Sequence, residues 1–170
     1  MFDKIHIIGG PGSGKSYAAN KISKILNIPC FDLDKIFWHT KDRDYTLYAP
    51  KTKRNNRLKN IIKKRKWIVE GVFSSWTGIS FRKANCIIVL KPYKYLRAIR
   101  IVKRYAKGRL KIAPRKIETL TGHIKFLKWN NAWDNKELRE IENKLKKYKS
   151  KTFYFKNADQ AINFIRNMNK

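Results

Sequence analysis

The sequence predicts an α/β fold, a three-layer sandwich of about five parallel strands flanked by helices, formed by one domain over residues 1–170. Three observations carry that expectation. The chain opens on a short apolar run, Lys4 to Ile8, which passes directly into a glycine-rich loop and then into a helical pattern. Further short apolar runs recur along the chain, each followed by a stretch of helical periodicity, the alternation that builds a parallel sheet. Finally, 170 residues of which 42% are hydrophobic can bury one real core, and no repeat, linker or low-complexity block divides them.

The glycine loop comes first. Gly9-Gly10-Pro11-Gly12-Ser13-Gly14-Lys15-Ser16 fits G-x-x-x-x-G-K-[ST] at every fixed position, between an expected buried strand and an expected helix from Tyr17 to Leu26. Glycines let the backbone turn its N–H groups inward around a phosphate, and the helix start adds partial positive charge. The expected fold is therefore the P-loop NTPase sandwich, with ATP and Mg²⁺ as cofactors. Gly10, Pro11, Gly12, Ser13, Gly14, Lys15, Ser16 and Tyr17 are the expected nucleotide contacts; Lys15 reaches the β- and γ-phosphates and Ser16 ligates the metal.

Ile28 to Phe31 reads as the second strand, with Asp32 and Asp34 at its C-terminal end, where open parallel sheets bind ligands. Two carboxylates one residue apart suit Mg²⁺-bound water and an acceptor hydroxyl; an Asp cap on the next helix is the competing reading. Residues 35–48 show no clear periodicity and read as a loop or short helix over the acceptor side. Trp38 there is either a stacking platform or a packing residue, and His39 has no evident chemistry. Pro50 opens a helix to about Arg65, with Leu58, Ile61 and Ile62 inward.

Lys66 to Gly71 is the third strand, ending on Glu70, the Walker-B-like position that orients a metal's water shell. Residues 72–81 read as a loop. Asn85 to Leu90 is the clearest strand, and Pro92 ends it. In the helix from Tyr93 to about Lys107, Tyr95, Ile99, Val102 and Ala106 share one face, and Arg97, Arg100, Arg104 and Lys107 the opposite one. A charged stripe is ordinarily a solvated face, yet residues 71–117 hold no acidic residue to neutralise it. Residues 108–115 break the helix and stay basic. Two helices follow, one presenting Ile117, Leu120, Ile124 and Leu127. The other presents Leu138, Ile141, Leu145 and Tyr148, with Asp134 as cap and Glu137 three residues on. Lys151 to Phe155 is the last strand, and Asn157 with Gln160 caps the terminal helix.

Composition bounds the rest. Lys+Arg 41 against Asp+Glu 12 gives a net charge of +29, which favours polyanionic partners, including non-specific nucleic acid; compositional drift toward Lys, Asn and Ile explains it equally. Met1 leads straight into the first strand, leaving no room for a signal peptide, and no apolar run is long enough for a membrane span. Cys30 and Cys86 are lone thiols in strand-like settings. A reduced cytoplasmic location is expected.

Taken together, "IHIIGGPGSGKS" at the start, "DLDKIFW" at 32–38, "WIVEGVF" at 67–73 and "LKWN" at 127–130 resemble the P-loop kinases of the adenylate kinase type. They are most similar to the small group called DNA topology modulation proteins. The resemblance covers most of the chain. It implies an ATP–Mg²⁺ core, an acceptor region after the second strand, and a lid at about 104–116 whose arginines close over the phosphates. Arg104 and Arg109, in "RYAKGR", look most like those arginines, and the loop near Asn157 and Ala158 would border the adenine. The sequence departs from nucleoside monophosphate kinases in one respect: no Arg follows Glu70-Gly71 to hold an acceptor phosphate. The Asp-x-Asp is closer to kinases of hydroxyl groups, shikimate kinase among them. The expected function is therefore ATP-dependent phosphotransfer to a small acceptor, with Lys15, Asp34, Arg104 and Arg109 catalytic and Ser16, Asp32 and Glu70 at the metal. The alternative is a nucleic-acid-associated protein with a regulatory nucleotide site.

Overall fold

The computed structural model describes residues 2–38, 47–109 and 120–169. His39 and the part of the expected lid beyond Arg109 lie outside them. Five strands form one wholly parallel sheet: β1 (Lys4–Gly9), β2 (Cys30–Asp32), β3 (Trp67–Gly71), β4 (Cys86–Leu90) and β5 (Thr152–Phe155). Their order is β2-β3-β1-β4-β5. β1 is central because its residues 5–9 are apolar or glycine-small and are buried on both faces, apart from His6. His6 is also buried. Its Nδ1 lies 2.8 Å from Ser80 Oγ, and burial pushes its pKa down to about 3, so it is a neutral core residue.

Side-chain alternation divides the core in two. Ile5, Ile7, Ile68 and Ile88 face α1 (Lys15–Leu26) and α8 (Ala158–Met168), through Ala18, Ala19, Ile22, Ala161 and Ile165. Ile8, Val69, Ile87 and Val89 face the other layer, which includes α3 (Lys51–Ile62), α4 (Gly78–Lys83) and α7 (Glu137–Leu145). Between these run α2 (Asp34–Phe37), α5 (Lys94–Arg109) and α6 (Leu120–Trp133).

Three local expectations are corrected. Residues 72–81 are not all loop, since α4 begins at Gly78; with six residues it is too short for periodicity to announce. Asp134 does not cap α7; its carboxylate is taken by Arg97 instead. Tyr148 belongs to a 3₁₀ turn after α7, not to the helix face. Cys30 and Cys86 are free, and burial pushes both thiols up to about 12. No helix among the described residues is long and apolar enough to cross a membrane.

Parallel register brings the working ends of the strands together. Ile7 lies opposite Glu70, Asp32 opposite Glu70, and Gly9 opposite Leu90, so the loop after β1 emerges beside both carboxylates. At the same edge, β5 turns into α8 through Asn157, whose side chain accepts the Gln160 N–H at 2.9 Å. Gln160 Oε1 accepts the Lys156 N–H in return. Replacing this cap, Asn157→Ala, is expected to cost about 1 kcal/mol, whereas Asn157→Gly costs a few tenths. Urea unfolding of the two variants measures the difference.

Candidate active site

The loop from Gly9 to Ser16 is shaped by glycine where nothing else fits. Gly12 and Gly14 have φ of 71° and 94°, the left-handed region that side chains rarely adopt. A Cβ on Gly12 would also meet the Arg97 carbonyl oxygen at 2.6 Å, and one on Gly10 would meet the Trp133 ring at 2.9 Å. Pro11 stands buried between them. Ser13 N–H donates to Gly10 O at 3.2 Å, closing the turn, while the buried Ser13 Oγ has no partner among the described residues. Lys15 is buried and reaches back across the loop, its Nζ donating to Gly10 O at 3.2 Å. Tyr17, next on α1, is largely exposed. Gly14 lies against Ala158, so the Asn157–Ala158 corner borders the loop.

Three carboxylates approach this loop. Ser16 Oγ donates to Glu70 Oε1 at 2.6 Å; Glu70 Oε2 is buried without a partner among the described residues. Burial pushes the Glu70 carboxyl up to about 7; the Lys15 charge opposes this, and Asp32 and Asp34 add to it. Asp34 is raised for the same first reason, its burial, against the pull of Lys15 and, further off, Arg104. Its Oδ1 accepts the Val72 N–H at 3.4 Å and lies 3.4 Å from where a Cβ on Gly71 would be. Asp32 does what the competing reading proposed: Oδ1 accepts the backbone N–H groups of Asp34 and Lys35, at 2.9 and 3.4 Å. That bond starts α2 and aims Asp34 at the loop. No three His, Cys, Asp or Glu side chains among the described residues close on one point as a metal cluster.

Of the basic stripe of α5, Arg97 is buried, Arg104 half-buried and Arg100 exposed but turned to the glycine loop, while Tyr95, Ile99 and Val102 are exposed on the other side. Arg97 is fully buried. Its Nε donates to Asn130 Oδ1 at 2.9 Å, Nη1 to Asp134 at 2.8 Å and to Pro92 O, and Nη2 to Asn130 O. The guanidinium lies 5.3 Å from the Trp133 ring centre. Arg100, three residues on, donates from Nη1 to Gly12 O and Ser13 O at 3.3 and 3.4 Å. Arg104, one further turn along, lies over the Phe126 ring at 4.9 Å. Arg109 is the last residue of α5. Apolar-in periodicity fails here because α5 packs against a polar loop and the Asn130–Asp134 turn, whose acceptors match a guanidinium fork. Sequence reasoning passed over Arg97, Asn130 and Trp133 as site residues, although "LKWN" contains Asn130.

Beyond Asp34 lies a cavity of about 420 Å³ between α2, the segment after β3, and α6–α7.

This geometry has solved counterparts. The backbone is similar to that of shikimate kinase from Acinetobacter baumannii in complex with shikimate, with a TM-score of 0.55 and 13% identity over 99% of this chain and 91% of that one. Shikimate kinase from Bacteroides thetaiotaomicron is similar at TM-score 0.50 and 16% identity, over 94% of this chain and 88% of that one. An uncharacterized protein from Eubacterium ventriosum gives 0.53 and 16%, over 95% and 94%. The fold is thus the P-loop NTPase sandwich that these shikimate kinases share, a five-stranded parallel sheet flanked by helices. None of the three is described as a DNA topology modulation protein. No protein-family model and no curated protein sequence matches the chain.

Two outcomes follow for variants. Arg97→Ala is expected to destabilise the protein by about 3 kcal/mol, the low end for orphaning a buried ion pair, because Asp134 remains 32% exposed. Denaturant unfolding reads it. Glu70 binds its proton more tightly in the folded chain than in the unfolded one, where its pKa is 4.5. Its contribution to ligand-free stability is therefore full below pH 4.5 and lost as the pH rises through about 7, on the order of 3 kcal/mol. Subtracting the stability–pH curve of Glu70→Gln from that of the wild type should reveal that slope; parallel curves would contradict it.

Proposed function

We propose that the protein is an ATP-dependent phosphotransferase that moves the γ-phosphoryl group to a hydroxyl of a small acceptor. The observation that carries this reading is the pairing of Ser16 with Glu70 at the mouth of the glycine loop, with a second buried carboxylate oxygen left over. An orphaned buried oxygen beside a hydroxyl ligand suits a cation's water shell. Ser16 would ligate Mg²⁺, with Glu70 and Asp32 holding its waters; when bound, that ion would neutralise phosphate charge.

The chain's own residues account for the rest. Loop N–H groups and the start of α1 receive the β-phosphate, and Lys15 exchanges its bond to Gly10 O for a phosphate oxygen. Arg100, on the loop carbonyls, and Arg104, over the Phe126 ring, would meet the charge of the migrating group, together with Arg109 from the end of α5. Asp34, held near the loop by Asp32 and raised in pKa, accepts the proton of the acceptor hydroxyl. As it does, the hydroxyl oxygen bonds to the γ-phosphorus and the bond to the departing ADP breaks. Asn157 and Ala158 border the base.

Calorimetry should detect ATP or ADP binding with Mg²⁺, and Lys15→Ala should abolish most of it while leaving the circular dichroism unchanged. Wild-type protein that takes no purine nucleotide ends this reading. Asp34→Asn should lower turnover by ~10²–10⁴ with ATP affinity nearly unchanged; equal losses in both would make Asp34 a nucleotide or structural residue. The competing nucleic-acid reading rests on the +29 charge, and binding of that origin collapses between ~50 and ~200 mM salt. ATP affinity should shift far less over the same range. Tight, sequence-selective DNA binding that survives it would favour the competitor.

A further inference from the structure

The cavity beyond Asp34 has a lining unlike that expected for an anionic acceptor. Its walls carry six rings, from Phe37, Trp38, Tyr48, Phe73, Phe126 and Trp129. Several lie near parallel: Phe37 stacks on Phe73 at 3.8 Å between centres and 27°, and Phe73 faces Trp129 at 6.4 Å with the same tilt. Trp38 and Tyr48 are tied by an antiparallel bridge, their rings 5.2 Å apart. A volume of about 420 Å³ suits one molecule of nucleoside size. Flat walls of this kind hold flat molecules, because every heteroaromatic ring offers a face for stacking.

The charges set the sign of the occupant. The chain has 41 basic and 12 acidic residues, yet the cavity wall contains Glu137 and Glu140 against the single Lys125. Glu137 Oε1 accepts the Trp129 indole N–H at 3.0 Å, which fixes both side chains; Glu137 Oε2 is buried without a partner among the described residues. A buried acceptor oxygen in a stacking cavity is satisfied by an N–H or O–H donor of the occupant. A carboxylate or phosphate there would face Glu137 and Glu140 with Lys125 beside them, since the Arg54 and Arg104 guanidiniums are taken up against the Phe37 and Phe126 rings and the Lys144 amine by Ser74 Oγ. Shikimate, the carboxylate bound in the A. baumannii enzyme, is such an anion. Val72 lines the cavity, and its N–H is the group that Asp34 accepts, so the hydroxyl end of an occupant lies on the side of the glycine loop.

We propose that this cavity takes a flat heteroaromatic alcohol of nucleoside size carrying no negative charge, and that its hydroxyl is the phosphoryl acceptor. The acceptor role rests on the phosphotransferase reading; the chemistry of the cavity does not. Saturation-transfer NMR of the whole ligand-free protein, with adenosine, cytidine, thymidine and pyridoxine as uncharged probes and shikimate and AMP as anionic ones, tests it. At least one uncharged ring should bind with its ring protons most strongly saturated, and should stimulate ADP release from MgATP. Glu137→Gln keeps the Trp129 bond but replaces an acceptor by a donor, so it should weaken that probe about tenfold. Glu140→Lys, at an exposed position, should instead strengthen AMP relative to the uncharged probe; ATP affinity should be the same in both variants. Shikimate or AMP binding more tightly than every uncharged ring, or no ring binding by protein that binds ATP, overturns the proposal. If ring binding persists but ATP fails to bind, the acceptor role falls with the phosphotransferase reading, and the two failures are told apart.

Discussion

A buried guanidinium holds the phosphate loop in shape. A run of glycines has no side chains with which to fix itself, and it loses more conformational freedom on ordering than any other sequence. Here the constraint comes from outside. Arg97, saturated by Asn130, Asp134 and Pro92 O, lies with Trp133 directly against Gly10, and the backbone of its own helix presses on Gly12. Gly10 and Gly12 are therefore glycine for two reasons, the turn of the loop and the closeness of α5. Arg100 extends the contact to the loop carbonyls.

That arrangement also explains what could and could not be read from the chain. The glycine loop, the strand ends at Asp32 and Glu70, and the cap at Asn157 were legible because their logic is local, a few residues in fixed register. The orientation of α5 was not, since periodicity assumes that apolar residues face inward. Here the inward neighbours are carbonyl oxygens, an amide and an indole contributed by residues more than thirty positions away. Asp134 was misread for the same reason: a capping pattern three residues before a glutamate is outweighed by a buried cation in search of a carboxylate. Asp32 takes its capping reading, its Oδ1 accepting the N–H groups of Asp34 and Lys35 at the start of α2. Of the aromatic cavity only Trp38 stands out in the linear order, as a stacking or packing residue, since the rings come from three separate stretches.

The net charge proves less informative than where its few opposites stand. Asp32, Asp34 and Glu70 gather by the loop, Asp134 neutralises Arg97, and Glu137 and Glu140 line the cavity. In a chain so basic, each of these carboxylates stands out against a uniformly positive surface. Burial then raises the affinity of Asp34 and Glu70 for protons, which keeps them responsive to whatever cation or donor arrives.

Helix α6 belongs to both halves of the site. Phe126 and Trp129 face the cavity, and Asn130 and Trp133, within the next turn, brace Arg97 against Gly10. A rigid rod with an occupant at one end and a glycine loop at the other cannot register them independently. With the proposed occupant in place, a tilt imposed on Trp129 would change the footing of the loop, and ordering of the loop would in turn change the cavity. Such a connection is reciprocal by thermodynamic necessity: whatever factor one ligand imposes on the other's affinity is returned unchanged. On the proposed reading the helix would act as a crossbeam through which each ligand senses whether the other is present.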